Sequence, residues 1–178
     1  DNLMADGKAV PMLIVMANGM VMTECGAGKV GLKHELFLKE LTQDLIPFIE
    51  KKYRVKKDRQ YRAMAGLSMG SMQTSMLIGT YPELFAWAGL FSGFLHNLVG
   101  DHPDNSHLEQ IGKPGFSRSM RLLFRGMGRQ DEFWKHFEED DAFCEENGLS
   151  CVRREYEGGH DWNVWRKCIR DFLPMLFV

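Results

Sequence analysis

Hydrophobic and polar positions alternate between two periods along this chain, and that alternation predicts its architecture. The run PMLIVMAN (residues 11–18) is short, continuous and apolar, the pattern of a strand buried on both faces. After a Gly-rich loop (residues 25–31), Leu36, Phe37, Leu41, Leu45, Phe48 and Ile49 recur at helical spacing, which predicts an amphipathic helix to about Tyr53. YRAMAGL (residues 61–67) predicts the next strand, and the segment from Met69 a helix ended near Pro82. WAGLFSG (residues 87–93) and RLLFRGM (residues 121–127) predict a third and a fourth strand. FWKHFEEDDAFCEENG predicts a helix stopped at Gly148, CVRREYEG (residues 151–158) a fifth strand, and WNVWRKCIRDFLPMLF a closing helix.

Strands separated by helices imply βαβ units, hence an α/β fold with a mostly parallel sheet covered on both faces. Ligands of such sheets bind at the carboxyl ends of the strands. The least structured segment is residues 96–119, rich in turn formers; it reads either as a lid or pocket wall or as a solvated excursion.

The chain has 178 residues, 44% hydrophobic and 26% charged, which suits one globular domain. Its formal net charge of -2 offers no general attraction to nucleic acid or to an anionic membrane, and small neutral substrates fit better. The basic cluster KKYRVKKDRQYR (residues 51–62) reads as a solvated helix end and loop, with a phosphate patch as the rival reading. Cys25, Cys144, Cys151 and Cys168 show no metal-ligand spacing, so no metal site is expected, and their oxidation state stays open. No apolar run reaches the length of a membrane span.

Candidate chemistry centres on RAMAGLSMGSMQ. Among 18 glycines a GxSxG match says little by itself, but Ser68 falls where a predicted buried strand meets a helix, the context of a nucleophile elbow. In so tight a turn, side chains at Gly66 and Gly70 are expected to collide with neighbouring backbone, and the Met69 N–H at the helix start would face a developing oxyanion. A serine hydroxyl needs a base to take its proton. His34 and His136 lie on helical patterns, and His96, His102 and His107 fall in the long loop. His160, in EYEGGHDW after the fifth strand, is the candidate base. The acid partner is expected between serine and histidine in chain order. Asp131 in GMGRQDEF fits, with Glu132 as its rival; Asp161 reads as a cap of the last helix, and Asp140 and Asp141 as solvated helix charges. Phe91, Phe94, His96, Trp162 and Trp165 read either as an aromatic wall for an acyl ring or as core.

RAMAGLSMGSMQ, YPELFAWAGLFSG, GMGRQDEF and GGHDWNVW, with DLIPFIEKKYRV and VMANG, resemble the esterase D-like branch of the α/β-hydrolases, and within it the feruloyl and acetyl xylan esterases of carbohydrate esterase family 1. The resemblance covers nearly the whole chain. It implies a Ser68, Asp131, His160 triad, ester hydrolysis through an acyl-enzyme, and no cofactor. It also implies a substrate of feruloyl or acetyl esters on plant xylan or its oligosaccharides, met outside the cell by secreted or cellulosome-borne bacterial enzymes. Two departures stand out. Ser71 occupies a position where the family usually has a further Gly, and no segment matches the family's earlier strand with its HGxG-like loop, which supplies the second oxyanion donor. The chain is accordingly expected to be the carboxyl-terminal part of a single catalytic domain, truncated before Asp1, with a central slot of its sheet unfilled. Other acyl-ester or thioester hydrolases and acyltransferases of the same fold, a siderophore esterase among them, are the alternative readings. A catalytically inactive fragment that binds carbohydrate or a partner chain is the reading from a different class.

Overall fold

The computed structural model describes residues 2–24, 30–99 and 103–178. Cys25, most of the Gly-rich loop and His102 lie outside the described residues. The chain divides into two compact units, one of Met12–Lys57 and one of Asp58–Val178 with Asp1–Pro11. A helical turn, α1 (Asn2–Ala5), precedes the smaller unit. That unit holds an antiparallel hairpin of β1 (Met22–Glu24) and β2 (Val30–Leu32), with Met22 opposite Leu32. Helix α2 (His34–Lys39), a π-helical stretch (Glu40–Leu45) and α3 (Ile46–Lys52) then run without a break, as the apolar spacing of residues 36–49 predicts.

The larger unit is a four-stranded, wholly parallel sheet in the order β3 (Ala63–Leu67), β4 (Trp87–Phe91), β5 (Leu122–Gly128), β6 (Val152–Tyr156). Between the strands run α4 (Met69–Thr80), then α5 (His107–Ile111) and α6 (Pro114–Ser119), then α7 (Trp134–Glu146); α8 (Trp162–Phe172) closes the unit, followed by a 3-10 turn (Leu173–Met175). Alternation decides which side chain meets which helix. Gly89 and Phe91 of β4 share a face with Phe124 of β5, and Phe172 of α8 packs edge-on to both rings at 5.6 and 5.7 Å. On the opposite face Met127 of β5 joins Met72 of α4 and Phe137 of α7. Strands β4 and β5 are buried throughout, the condition under which a parallel sheet is stable.

The structure corrects three expectations. Residues 11–18 form no strand, and Leu13, Ile14 and Met16 are 51%, 59% and 92% exposed. A continuous apolar run becomes a strand only where a neighbour pairs its backbone, and among the described residues this run has no ladder partner. The described part of residues 96–119 is not devoid of regular structure: it contains α5 and α6, which bury Leu108, Ile111 and Phe116. Asp140 and Asp141 are not free solvated charges. Asp140 is fully buried, and Asp141 pairs with Arg125 at 2.6 Å and Arg153 at 2.8 Å.

Candidate active site

Ser68 occupies the single residue between β3 and α4. Its backbone sits at φ 51 and ψ -117, a region that costs a non-glycine residue on the order of 1–3 kcal/mol and persists only where the surroundings enforce it. The Ser68 N–H donates to the Phe91 carbonyl at 2.9 Å, so the β-ladder grips the turn from one side. From the other side the fully buried Ser71 hydroxyl donates to the Ser68 carbonyl at 2.5 Å and accepts from the Phe94 N–H at 3.1 Å. Ser71 thus ties the elbow to the loop after β4. Gly66 is sterically required, because a Cβ there would lie 2.2 Å from the Gly70 carbonyl oxygen. Gly70 is not: a Cβ there would meet open space, contrary to the expectation from the motif.

The loops after β5 and β6 are zipped together by their backbones. Arg129 donates to the Tyr156 carbonyl at 2.8 Å and Gln130 to the Gly158 carbonyl at 3.0 Å, while the Gln130 side chain accepts from the Gly158 N–H at 2.7 Å. This approach explains the glycine at 128, where a Cβ would stand 2.1 Å from the Gly158 oxygen. The zipper brings Asp131 beneath His160. The imidazole Nδ1 lies 3.0 and 3.2 Å from the two oxygens of the buried Asp131 carboxylate, which also accepts from the Phe133 N–H at 3.0 Å. Nε2 lies 2.9 Å from Ser68 Oγ. With the proton on Nδ1, shared with Asp131, the free Nε2 lone pair faces the serine hydroxyl, the tautomer a general base requires. The imidazole is flanked edge-on by Phe133 and Trp165, each with its ring centroid 5.2 Å away.

Helix α8 starts directly behind the histidine. Asp161 caps it, accepting from Asn163 at 2.7 Å and Val164 at 3.3 Å, and these backbone donors hold its carboxyl below the usual carboxylate range. The cap fixes the direction in which the chain leaves His160, so the residue read as a cap acts as one.

Ser68, Asp131 and His160 are brought together at the carboxyl edge of the sheet; Glu132, the rival acid, is exposed. Met69 is the first residue of α4, so its N–H has no acceptor within the helix. The aromatic candidates divide. Phe91 is 5% exposed and packed against Phe124 and Phe172, and Phe94 is buried, so both are core and not pocket wall. Trp165 adjoins His160, and Trp162, 62% exposed, stands edge-on to Trp165 at 5.1 Å. His96 turns away to Asp140, its Nδ1 2.5 Å from that carboxylate, which also accepts from the Leu95 N–H at 2.6 Å; the Asp140 hydrogen bond raises the pKa of His96. His107 is buried with Nε2 on the Leu95 carbonyl, and His136 pairs with Glu139. Phe133 is the contact that the sequence reading missed. Its signal is position: two residues beyond Asp131, it is the first residue whose N–H can close a turn onto that carboxylate.

A parallel sheet carrying an elbow serine, an acid and a histidine at the carboxyl ends of β3, β5 and β6 is the architecture of an α/β-hydrolase. The profile of the esterase family described as "Putative esterase" matches residues 2–176, and the chain belongs to that family of ester hydrolases. Over 179 aligned residues it is 34% identical to an endo-1,4-beta-xylanase/feruloyl esterase of Xylanibacter ruminicola, covering 99% of this chain. The chain spans only 23% of that curated relative's length. Among solved structures, a ferulic acid esterase superposes with a TM-score of 0.75 at 26% identity, covering 97% of this chain and 73% of that one. A CE1 ferulic acid esterase from Anaeromyces mucronatus, solved with ferulic acid, superposes with a TM-score of 0.81 over 99% of this chain and 69% of that one; at 19% identity it shares the fold.

Proposed function

We propose that this chain is a serine carboxylesterase that releases feruloyl groups from plant xylan or its oligosaccharides. The observation that carries the proposal is the continuous relay from Ser68 Oγ through His160, 2.9 Å on one side, to Asp131, 3.0 Å on the other. In the proposed cycle Nε2 takes the Ser68 proton as Oγ attacks the ester carbonyl, and Asp131 stabilises the imidazolium that results. The Met69 N–H, at the positive end of α4, donates to the oxyanion. The imidazolium then returns its proton to the departing sugar oxygen, leaving an acyl-serine, and a water activated by the same nitrogen hydrolyses it. A protonated imidazole has no lone pair for the first step, so the rate falls as the solution turns acid.

Support for the feruloyl group comes from the name of the relative at 34% identity and from the aromatic flank of the base, where Trp162 and Trp165 offer apolar faces to an acyl ring. A polymeric substrate also implies action outside the cell. The test is hydrolysis of methyl ferulate and p-nitrophenyl acetate by the purified protein and by Ser68→Ala. Ferulate release that the variant abolishes supports the proposal. Turnover of the acetate alone replaces feruloyl by acetyl. Turnover of neither ester, together with failure of a fluorophosphonate probe to label Ser68, removes the esterase reading.

A further inference from the structure

Cys144 and Cys151 take no part in the site around Ser68, yet the fold gathers their thiols over one buried guanidinium. In the β5–β6 register Arg125 lies opposite Arg153, and both donate to Asp141, which fixes their shared face as the one covered by α7. Side chains two residues apart share a face of a strand. Cys151, two residues before Arg153, therefore projects toward α7 as well. From that helix the last full turn presents Cys144, buried, with its sulfur 3.7 Å from Arg125 Nη1. The chain between the two residues doubles back at once, with the Leu149 N–H on the Cys144 carbonyl at 2.8 Å.

The two thiols interact electrostatically, and their environments differ. Cys151 is half-buried, and the Cys144 thiol, seconded by Arg125, stabilises its thiolate and brings its pKa below that of an ordinary thiol. Cys144 is pushed up by the same interaction and by burial, so its proton stays on. Cys168 is buried beneath the other face of the sheet, where a Cβ on Gly126 would meet its sulfur at 2.9 Å, and burial raises it to about 12. A partly exposed thiolate beside a buried thiol is the arrangement of a reactive cysteine with its resolving partner.

We propose that Cys144 and Cys151 are an oxidation site at which a low-molecular-weight disulfide, such as oxidised glutathione, is exchanged for an intramolecular Cys144–Cys151 disulfide. The Cys151 thiolate attacks one sulfur of the glutathione disulfide; that S–S bond breaks and one glutathione leaves as its thiolate. Cys144 then gives up its proton to solvent and attacks the Cys151 sulfur, and the mixed disulfide breaks to release the second glutathione. Two protein thiols lose two electrons in total, and one glutathione disulfide is reduced to two glutathiones. The product closes a short loop and pins the end of α7 to the start of β6. These are the elements that follow Asp131 and precede His160, so the disulfide braces the frame holding the acid and the base.

The test equilibrates reduced protein in glutathione buffers of graded potential, quenches with an alkylating reagent and maps the peptides. The expected result is a Cys144–Cys151 disulfide with Cys168 alkylated, accompanied by a rise in melting temperature of about 5 °C. Cys144→Ser is expected to accumulate one glutathione on Cys151, whereas Cys151→Ser leaves Cys144 unmodified. In wild-type protein the alkylation rate of Cys151 is expected to rise with pH around a midpoint below that of an ordinary thiol, a readout that needs no variant. Alkylation of both Cys144 and Cys151 in the most oxidising buffer would overturn the site. Glutathione on Cys144 in the Cys151→Ser variant, or a Cys151 midpoint at that of an ordinary thiol, would overturn the assignment of the attacking sulfur.

Discussion

Asp131→Asn isolates the electrostatics of the proposed triad from its shape. In the folded protein one carboxylate oxygen accepts from the Phe133 N–H at 3.0 Å while both face Nδ1 of His160 at 3.0 and 3.2 Å. Asparagine keeps the oxygen toward Phe133, because that position requires an acceptor. Its NH2 then takes the place of the second oxygen, and a donor faces Nδ1. The imidazole can meet that donor only with an unprotonated Nδ1, which moves its proton to Nε2, 2.9 Å from Ser68 Oγ. The nitrogen that must accept the serine proton now carries one, and no anion remains to stabilise the imidazolium. The expected loss in kcat is about 10⁴-fold, or about 5.5 kcal/mol of transition-state stabilisation, with KM little changed. Steady-state hydrolysis of methyl ferulate measures it, and a circular dichroism melt checks that the fold persists. A well-folded variant that loses less than about tenfold would refute the reasoning, and a large loss in Glu132→Gln would move the acid to the neighbouring residue.

Further outcomes follow from the elbow and from the pairing of His96 with buried Asp140. Gly66→Ala drives a methyl group to 2.2 Å from the Gly70 carbonyl oxygen, a backbone atom that cannot swing aside, so a stability loss on the order of 3 kcal/mol and at least a hundredfold loss of esterase rate are expected. Gly70→Ala meets open space within α4 and is expected to be neutral or to raise stability by up to about 1 kcal/mol; thermal melts and esterase rates of the two variants check both. His96 has its pKa raised chiefly by the Asp140 hydrogen bond, so its contribution is fully present below the unfolded value of about 6.5 and is lost as pH rises through the higher folded value. The melting temperature of wild type minus that of His96→Gln is therefore expected to be greatest in mildly acid solution and to shrink above neutrality; a gap that widens with pH would contradict the pairing.

Periodicity located β4 and β5 because each apolar run has a sheet neighbour on both sides that buries it, and β3 and β6 because each pairs along one edge of that sheet. The same signal misled at residues 11–18. Continuous apolarity specifies what a segment would bury, whereas strand formation depends on a partner that the segment itself does not encode. The juxtaposition of Ser68, Asp131 and His160 was legible because chemistry restricts the types and order of such a group, and strand ends restrict their places. Choosing Asp131 over Glu132 rested on a loop whose geometry the sequence left open; the backbone zipper between Gln130 and Gly158 sets Asp131 against His160 and leaves Glu132 exposed. Phe91 was ambiguous for a related reason. An aromatic at a strand end serves a pocket or a core according to the face it takes, and Phe172 claims that face. Asp140 was misread although its position held the clue: it shares the buried stripe of α7 with Phe137 and Cys144, at spacings of three and four, and a carboxylate on such a stripe needs internal donors. Leu95, His96 and Arg125 stand around it, the first two within hydrogen-bond distance.

The central claim is that Ser68 forms the acyl-enzyme. Rapid mixing of the protein with p-nitrophenyl ferulate, acid quench within the first turnover and peptide mass mapping test it most directly. The account predicts a feruloyl ester on the peptide bearing Ser68, formed with a burst of p-nitrophenol and absent from Ser68→Ala. Rapid turnover with the acyl group on another residue, or full activity in Ser68→Ala, would contradict it.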